Sequence, residues 1–226
     1  MNTKILCIES STEVCSVCLA INGQSEVVKE LEDFKHSSYL LPLIIETIEE
    51  AKISKKELNA VAFSKGPGSY TGLRVGASTA KGLAFGLDLP LITIDTLQAL
   101  ASGVKKESSP ETVIVPMIDA RRNEVYTAMF DAELNFILPT RSLIIDTHLE
   151  EFIEGKSHII FCGNGAHKVK TNVMGKMETV ETKCTASNLA ALSFDLYQNE
   201  IFEELDHFEP NYLKPPNITK PKALIG

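Results

Sequence analysis

Ile5-Leu6-Cys7-Ile8-Glu9-Ser10, running on into Val14 to Ala20, has a partner more than a hundred residues downstream: Val115-Pro116-Met117-Ile118-Asp119-Ala120, running on into Glu124 to Phe130. Each stretch reads as a strand, an acidic residue, a short polar loop and a second strand. Working outward from the first, Lys4 to Glu9 and Val14 to Ile21 are short β-rich runs, and Asn22-Gly23 supplies the positive φ angles of a tight hairpin into a third strand, Glu26 to Leu31. Working outward from the second gives Val113 to Ile118, Glu124 to Phe130 and Phe136 to Ile145, again three strands.

The segments after the two strand triplets also correspond. In the first half, Ser37 or Ser38 is positioned to cap a helix whose apolar residues Leu40, Leu41, Leu43, Ile44, Ile45, Ile48 and Ala51 recur at helical spacing, with Pro42 near its first turn. A buried-type strand, Asn59 to Ser64, precedes the loop Gly66-Pro67-Gly68-Ser69 and a Gly/Ala-rich helix from Tyr70 to Gly86; a strand Leu89 to Ile94 and a helix from Thr96 to Ala101 come next. The second half reads as a helix at Leu149 to Ile153, a strand His158 to Cys162 and a helix Ala186 to Tyr197. Two halves with a shared β-β-β-α-β-α plan predict an α/β protein of two related lobes. The polar stretch Ser102 to Pro110 is the expected boundary, giving lobes 1–104 and 105–226.

The 226 residues are 44% hydrophobic and 23% charged, enough to bury a sizeable core. A net charge of -8, with basic residues scattered along the chain, gives no cationic face to gather nucleic acid, so RNA contact is expected only through a partner. No apolar run reaches the roughly 18 residues of a membrane span, and Met1 to Leu6 lacks a secretory pattern, so the expected address is cytoplasmic. An odd set of cysteines (Cys7, Cys15, Cys18, Cys162 and Cys184) reads as reduced thiols. Cys15 and Cys18 invite a zinc reading, but such a site takes about four ligands and no second pair completes it.

The glycine loop before Tyr70 offers backbone N–H groups at a helix start, which suits an anion. Its spacing is wrong for a nucleotide motif: Thr71 and Leu73 stand where a P-loop or dinucleotide fingerprint needs glycine. The structural reading is a turn followed by a small-residue helix face, Gly72, Gly76, Ala77 and Ala80, that lets another helix approach closely. His36 has Leu40 at its fourth place and no histidine at i+3 or i+4, so a capping or surface role is expected and no metal. Glu9, Asp119 and Glu124 are possible acids or bases, though spacing does not bring them around one substrate. Ser10, Ser11 and Thr12 resemble the polar loop that approaches phosphates in actin-like ATPases, and are the weak cofactor candidates in a chain expected to carry no cofactor.

Together these residues resemble the bacterial TsaB (YeaZ) family, in the Kae/TsaD group of the actin-like superfamily. The carriers are Ile8-Glu9-Ser10-Ser11-Thr12, His36-Ser37-Ser38, the block Gly66 to Gly76 continued by Ala80 to Ala84, Ile118-Asp119-Ala120-Arg121 with Glu124-Val125-Tyr126, Gly163-Asn164-Gly165, and Glu209-Pro210-Asn211-Tyr212-Leu213-Lys214. Lys214 departs from a more usual Arg and Tyr70 from a frequent Phe. The resemblance implies the two-lobed actin-like (ASKHA, ribonuclease H-like) fold. It also implies a non-catalytic subunit that works with the paralogue TsaD and the ATPase TsaE to place threonylcarbamoyl on the tRNA adenosine beside the anticodon. Contact with tRNA would be made only within the complex. TsaD-like enzymes hold metal on a helical His-x-x-x-His pair, whose second place is Leu40 here. The resemblance further implies that the first two helices pack on TsaD, or on a second copy of the chain when TsaD is absent. The expected interface is His36, Leu40, Leu43, Ile44, Tyr70, Leu73, Gly76, Ala77 and Ala80. The rival readings are a TsaD-like metal-dependent transferase or glycoprotease, and a small actin-fold kinase.

Overall fold

The computed structural model describes residues 2–32, 36–104, 111–170 and 176–214. Its first half runs β1 (Lys4–Glu9), β2 (Val14–Ile21), β3 (Gln24–Glu32), α1 (His36–Glu50), β4 (Ala60–Ser64), α2 (Tyr70–Leu87), β5 (Leu91–Ile94) and α3 (Thr96–Ser102). The second runs β6 (Val113–Asp119), β7 (Glu124–Phe130), β8 (Phe136–Ile144), α4 (Ile145–Phe152), β9 (His158–Cys162), β10 (Lys176–Val180) and α5 (Ala190–Gln198). The strands form two sheets, β3-β2-β1-β4-β5 and β8-β7-β6-β9-β10, with the same order of equivalent strands. In both, the first three strands are antiparallel neighbours and the last two pair in parallel.

The central strands read as continuous apolar runs because both faces of each sheet are covered. Along β1, Leu6 and Ile8 face α1 and α2 together with Val61 and Phe63 of β4, whereas Ile5 and Cys7 face Leu189 and Ala190 at the start of α5. In the second sheet Val115 and Met117 face α4, while Ile114 and Ile118 face Leu97, Leu100 and Ala101 of α3. Each half therefore lends its last helix to the other half's sheet. A division at 104/105 remains our proposal for the covalent order of the halves. In packing terms the two share cores, and residues 105–110 of the expected boundary lie outside the described residues.

Two local expectations are corrected, and one strand, β10, is additional to those read from the sequence. Helix α1 begins at His36, which puts Ser37 and Ser38 inside its first turn and Pro42 in its second. The strand β10 carries mixed polar residues and no alternation, and its pairing with β9 comes from register with a buried neighbour. The residues read as a helix from Ala186 are a 3-10 turn, Ala186–Leu189, that leads into α5. The Asn22-Gly23 turn is as expected, with φ of 50° and 80°. All five cysteines are free and buried, and desolvation pushes the Cys15 thiol up to about 11.

Candidate functional site: the β1–β2 loop, the β6–β7 turn and the outer face of α1 and α2

The loop from Ser10 to Thr12 joins β1 to β2 where the two halves meet, and it is closed. Ser10, Ser11 and Thr12 are 0%, 1% and 7% exposed. Helix α2 starts directly against it: the Ser69 N–H donates to the Ser11 carbonyl at 2.6 Å, and the Ser10 hydroxyl donates to the Gly72 carbonyl at 2.9 Å. Gly68, Gly72 and Gly76 recur at one-turn spacing and form the contact row. A Cβ would lie 2.3 Å from the Ser11 carbonyl oxygen at Gly68, 2.0 Å from that of Ser10 at Gly72, and 2.2 Å from the Ser10 hydroxyl at Gly76. The glycine block read from the sequence therefore works as a face for a backbone to approach. The hydroxyls that would turn toward a phosphate are engaged by the chain itself.

Glu9 lies beneath this loop, fully buried. One carboxylate oxygen accepts from the Ser11 N–H at 2.6 Å and the Ser11 hydroxyl at 2.5 Å; the other accepts from the Cys184 thiol at 3.2 Å. Its environment is that of a structural anchor joining the first half to the segment before α5. Replacing it by Ala leaves the Ser11 N–H without its acceptor, and the Ser11 hydroxyl and Cys184 thiol with only long contacts to each other and to the Thr96 carbonyl, at about 1–3 kcal/mol for each unsatisfied group. The expected result for Glu9→Ala is a fall of about 3 kcal/mol in unfolding free energy, read from the denaturant midpoint.

His36 is 3% exposed, which corrects the expectation of a surface or capping residue. Its Nε2 lies 2.8 Å from the Thr12 carbonyl oxygen, where it donates, and its ring edge lies against Gly72. This geometry ties α1 to the loop and to α2. Leu40 is 1% exposed and belongs to the core. Among the described residues no group of three His, Cys, Asp or Glu gathers as a metal site would require.

Most of the expected interface residues also face inward. Leu40, Leu43, Ile44, Leu73, Ala77 and Ala80 belong to the apolar core between α1, α2 and the first sheet, and Gly76 meets Phe63 and Ser10. Tyr70 alone of the nine is partly exposed. The periodicity marks an apolar face correctly, and that face is occupied by the chain's own sheet. The neighbours remain outside: Tyr39, Leu41 and Ile45 on α1, and Phe85 on α2, the last 82% exposed. Leu41 and Ile45 are one turn apart and share a helix face. Sequence reasoning missed Phe85, although it stands between two glycines, Gly82 and Gly86, at which an added Cβ would meet nothing within 4 Å among the described residues.

The second half presents the corresponding β6–β7 turn, in which Arg121 and Arg122 take left-handed φ angles of 73° and 52°. Asp119 pairs with Lys168 at 2.6 Å, and Lys168 also donates to the Glu124 carbonyl at 3.0 Å. Burial pushes the Asp119 carboxyl up, but the Lys168 ammonium and the Arg121 N–H together hold it below its ordinary value. Asn164 donates to Glu13 at 2.8 Å and bridges the halves. Glu124 accepts from Lys214 and from Ser142. Those two hydrogen bonds, Lys214 first, hold its carboxyl below the ordinary value of 4.5. A depressed folded value means that the stabilisation is present above pH 4.5 and is lost as pH falls through the folded value. The thermal midpoint of the wild type should therefore fall below pH 4.5, and Glu124→Gln should flatten part of that fall.

Two five-stranded sheets of one topology that exchange helices define a two-lobed α/β protein of the actin-like class. The model of the TsaD family, tRNA N6-adenosine threonylcarbamoyltransferase, matches residues 27–224. The TsaB protein of Haemophilus influenzae is 43% identical over 125 residues, covering 55% of this chain and 52% of that relative. The TsaB of Buchnera aphidicola subsp. Schizaphis graminum is 33% identical over 187 residues, covering 79% and 86%. The chain thus aligns with about half the length of the first relative and most of the second. Among solved structures, YeaZ from Pseudomonas aeruginosa superposes with a TM-score of 0.79 at 24% identity, covering 93% of this chain and all of that one. The chain belongs to the TsaB family, the tRNA threonylcarbamoyladenosine biosynthesis proteins, within the TsaD-like group.

Proposed function

We propose that the chain is a non-catalytic subunit of the threonylcarbamoyl-transfer machinery: it binds a TsaD-type transferase, acts with the ATPase TsaE, and meets tRNA only inside that cytoplasmic assembly. The observation that carries this reading is the division of roles around α1 and α2. Their inner faces and the glycine row consume the Ser10–Thr12 loop, while their outer faces keep Tyr39, Leu41, Ile45 and Phe85 at the surface. An exposed set of large apolar side chains on two neighbouring helices suits a helix-to-helix interface. The position that would be a metal-binding second histidine is Leu40, inside the core, and His36 is bonded to Thr12. Both features support a partner over a transferase. In the absence of a transferase, the same face is available to a second copy of the chain.

The test is reconstitution. The chain alone, with tRNA and threonylcarbamoyl-adenylate, should give no modified adenosine, and omitting it from a mixture with cognate TsaD and TsaE should abolish or sharply reduce modification. Turnover by the chain alone would overturn the proposal in favour of the transferase reading.

A further inference from the structure

The last described segment, residues 203–214, runs from the first half to the second. At its start the Glu203 N–H donates to the Leu91 carbonyl at 2.8 Å, and its carboxylate accepts from Thr93 at 2.5 Å and pairs with Lys65 at 3.5 Å. Phe208 is buried edge-on against Phe63, with ring centroids 6.3 Å apart, and its carbonyl accepts from Lys81 of α2 at 3.3 Å. The Asn211 N–H then donates to the Lys65 carbonyl at 2.7 Å. Its own carbonyl lies so close to Gly66, 2.7 Å from where a Cβ would be, that only glycine fits there. Tyr212 packs on Tyr70, the first residue of α2, at 4.8 Å between centroids, with the Arg74 guanidinium on the Tyr70 ring at 5.4 Å. Two residues later the chain reaches the other half: Lys214 pairs with Glu124 of β7 and lies 5.8 Å from the centre of the Tyr126 ring.

We propose that this segment is a latch: it fixes the angle between the lobes and, through Tyr212 on Tyr70, holds the start of α2 in the orientation that the partner meets. The physical basis is leverage. Exchanged helices α3 and α5 join the lobes through shared cores, and residues 203–214 add a separate connection from the first half to β7. A strap anchored by a buried phenylalanine on one side and a charge pair with an aromatic floor on the other restricts rocking of one lobe against the other. Tyr212 and Lys214 are positioning residues. The second half of the inference, coupling to the partner, rests on the proposed function above.

The experiment uses the whole chain labelled at Lys56→Cys and Glu133→Cys, one exposed site on each lobe; the five native thiols are buried and leave the labels selective. Pulsed dipolar spectroscopy should give one narrow distance for the parent and for Lys214→Arg, which keeps the cation. Tyr212→Ala and Lys214→Glu, confirmed folded by circular dichroism, should broaden or shift that distance. Adding Glu124→Lys to Lys214→Glu restores the pair with reversed charge and should restore the narrow distance, a rescue that general loss of stability would not produce. Affinity for the cognate transferase should fall about tenfold in the two broken variants and recover in the swap, about 1.4 kcal/mol. An unchanged distance in Tyr212→Ala and Lys214→Glu overturns the latch. Broadened lobes with unchanged affinity overturn the coupling. A parent chain that binds no transferase would be a failure of the functional reading, and the distances on the isolated chain would still decide the latch.

Discussion

Gly72→Val and Gly76→Val should each destabilise the chain by about 3 kcal/mol or more, a drop of roughly 6–12 °C in thermal midpoint for a protein of this size. These substitutions are not ordinary overpacking. At Gly72 the added carbon would stand 2.0 Å from a carbonyl oxygen of the neighbouring loop, and at Gly76 it would stand 2.4 Å from the Phe63 ring as well as 2.2 Å from the Ser10 hydroxyl. A flexible side chain can swing aside, but backbone and a fully buried phenylalanine cannot, so α2 must lift off the first sheet. Gly82, on the same helix, meets nothing within 4 Å and is the control. Gly82→Ala should be neutral or stabilising, because alanine restricts the unfolded chain and suits a helix interior. Differential scanning calorimetry on the three variants checks this. Equal behaviour of Gly72→Val and Gly82→Ala would show that the glycine row is not a packing face.

Leu41→Asp and Phe85→Asp should leave the fold intact and cost the complex with a TsaD-type transferase about 2–4 kcal/mol each, a loss of roughly 30-fold to 1000-fold in affinity. Both side chains are exposed in the isolated chain, 56% and 82%, so a carboxylate there is solvated in the free protein and buried without a partner only in the complex. The inward neighbours cannot serve this test. A charge at Leu40, which is 1% exposed, or at Ala77, which is 5% exposed, enters the chain's own core and unfolds it before any interface is probed. Calorimetric titration with matched circular dichroism spectra separates the two effects. Affinity unchanged in both variants would place the partner on another surface.

The architecture is legible in the sequence because two independent signals agree. The Glu9 and Asp119 stretches repeat the same strand, acid, loop and strand pattern, and each triplet of strands is followed by a helix with an apolar face. Boundaries are less legible where tertiary contact decides them. The His36 ring in the first turn of α1 reaches the Thr12 carbonyl of a distant loop, which no local capping rule anticipates. Strand β10 has little intrinsic pattern and exists because β9 offers it an edge. The glycine block is legible as a close-approach surface, but its spacing does not reveal the approaching element, which is the Ser10–Ser11 backbone and not another helix.

The interface illustrates a limit of periodicity itself. A 3.6-residue pattern identifies an apolar stripe, and on α1 the stripe is wide enough to contain two faces. Leu40, Leu43 and Ile44 point to the sheet, while Leu41 and Ile45 sit about 100° and 140° round the helix from Leu40 with no sheet to meet. The resemblance to the TsaB family places the centre of the stripe at the interface, whereas that centre packs on the chain's own sheet. The latch is likewise present in the sequence only as a motif, Glu209 to Lys214, because its partners Lys65, Tyr70, Glu124 and Tyr126 are distant along the chain.

The most direct test of the central claim is carboxyl footprinting by mass spectrometry of the chain with and without its cognate TsaD-type transferase. Glu46 and Glu49 are carried on α1 beside Leu41 and Ile45, and Glu133 and Glu154 are exposed on the second half. The account predicts that the transferase suppresses labelling of Glu46 and Glu49 and leaves Glu133 and Glu154 unchanged. Protection confined to the second half, with α1 still labelled as in the free chain, would contradict it.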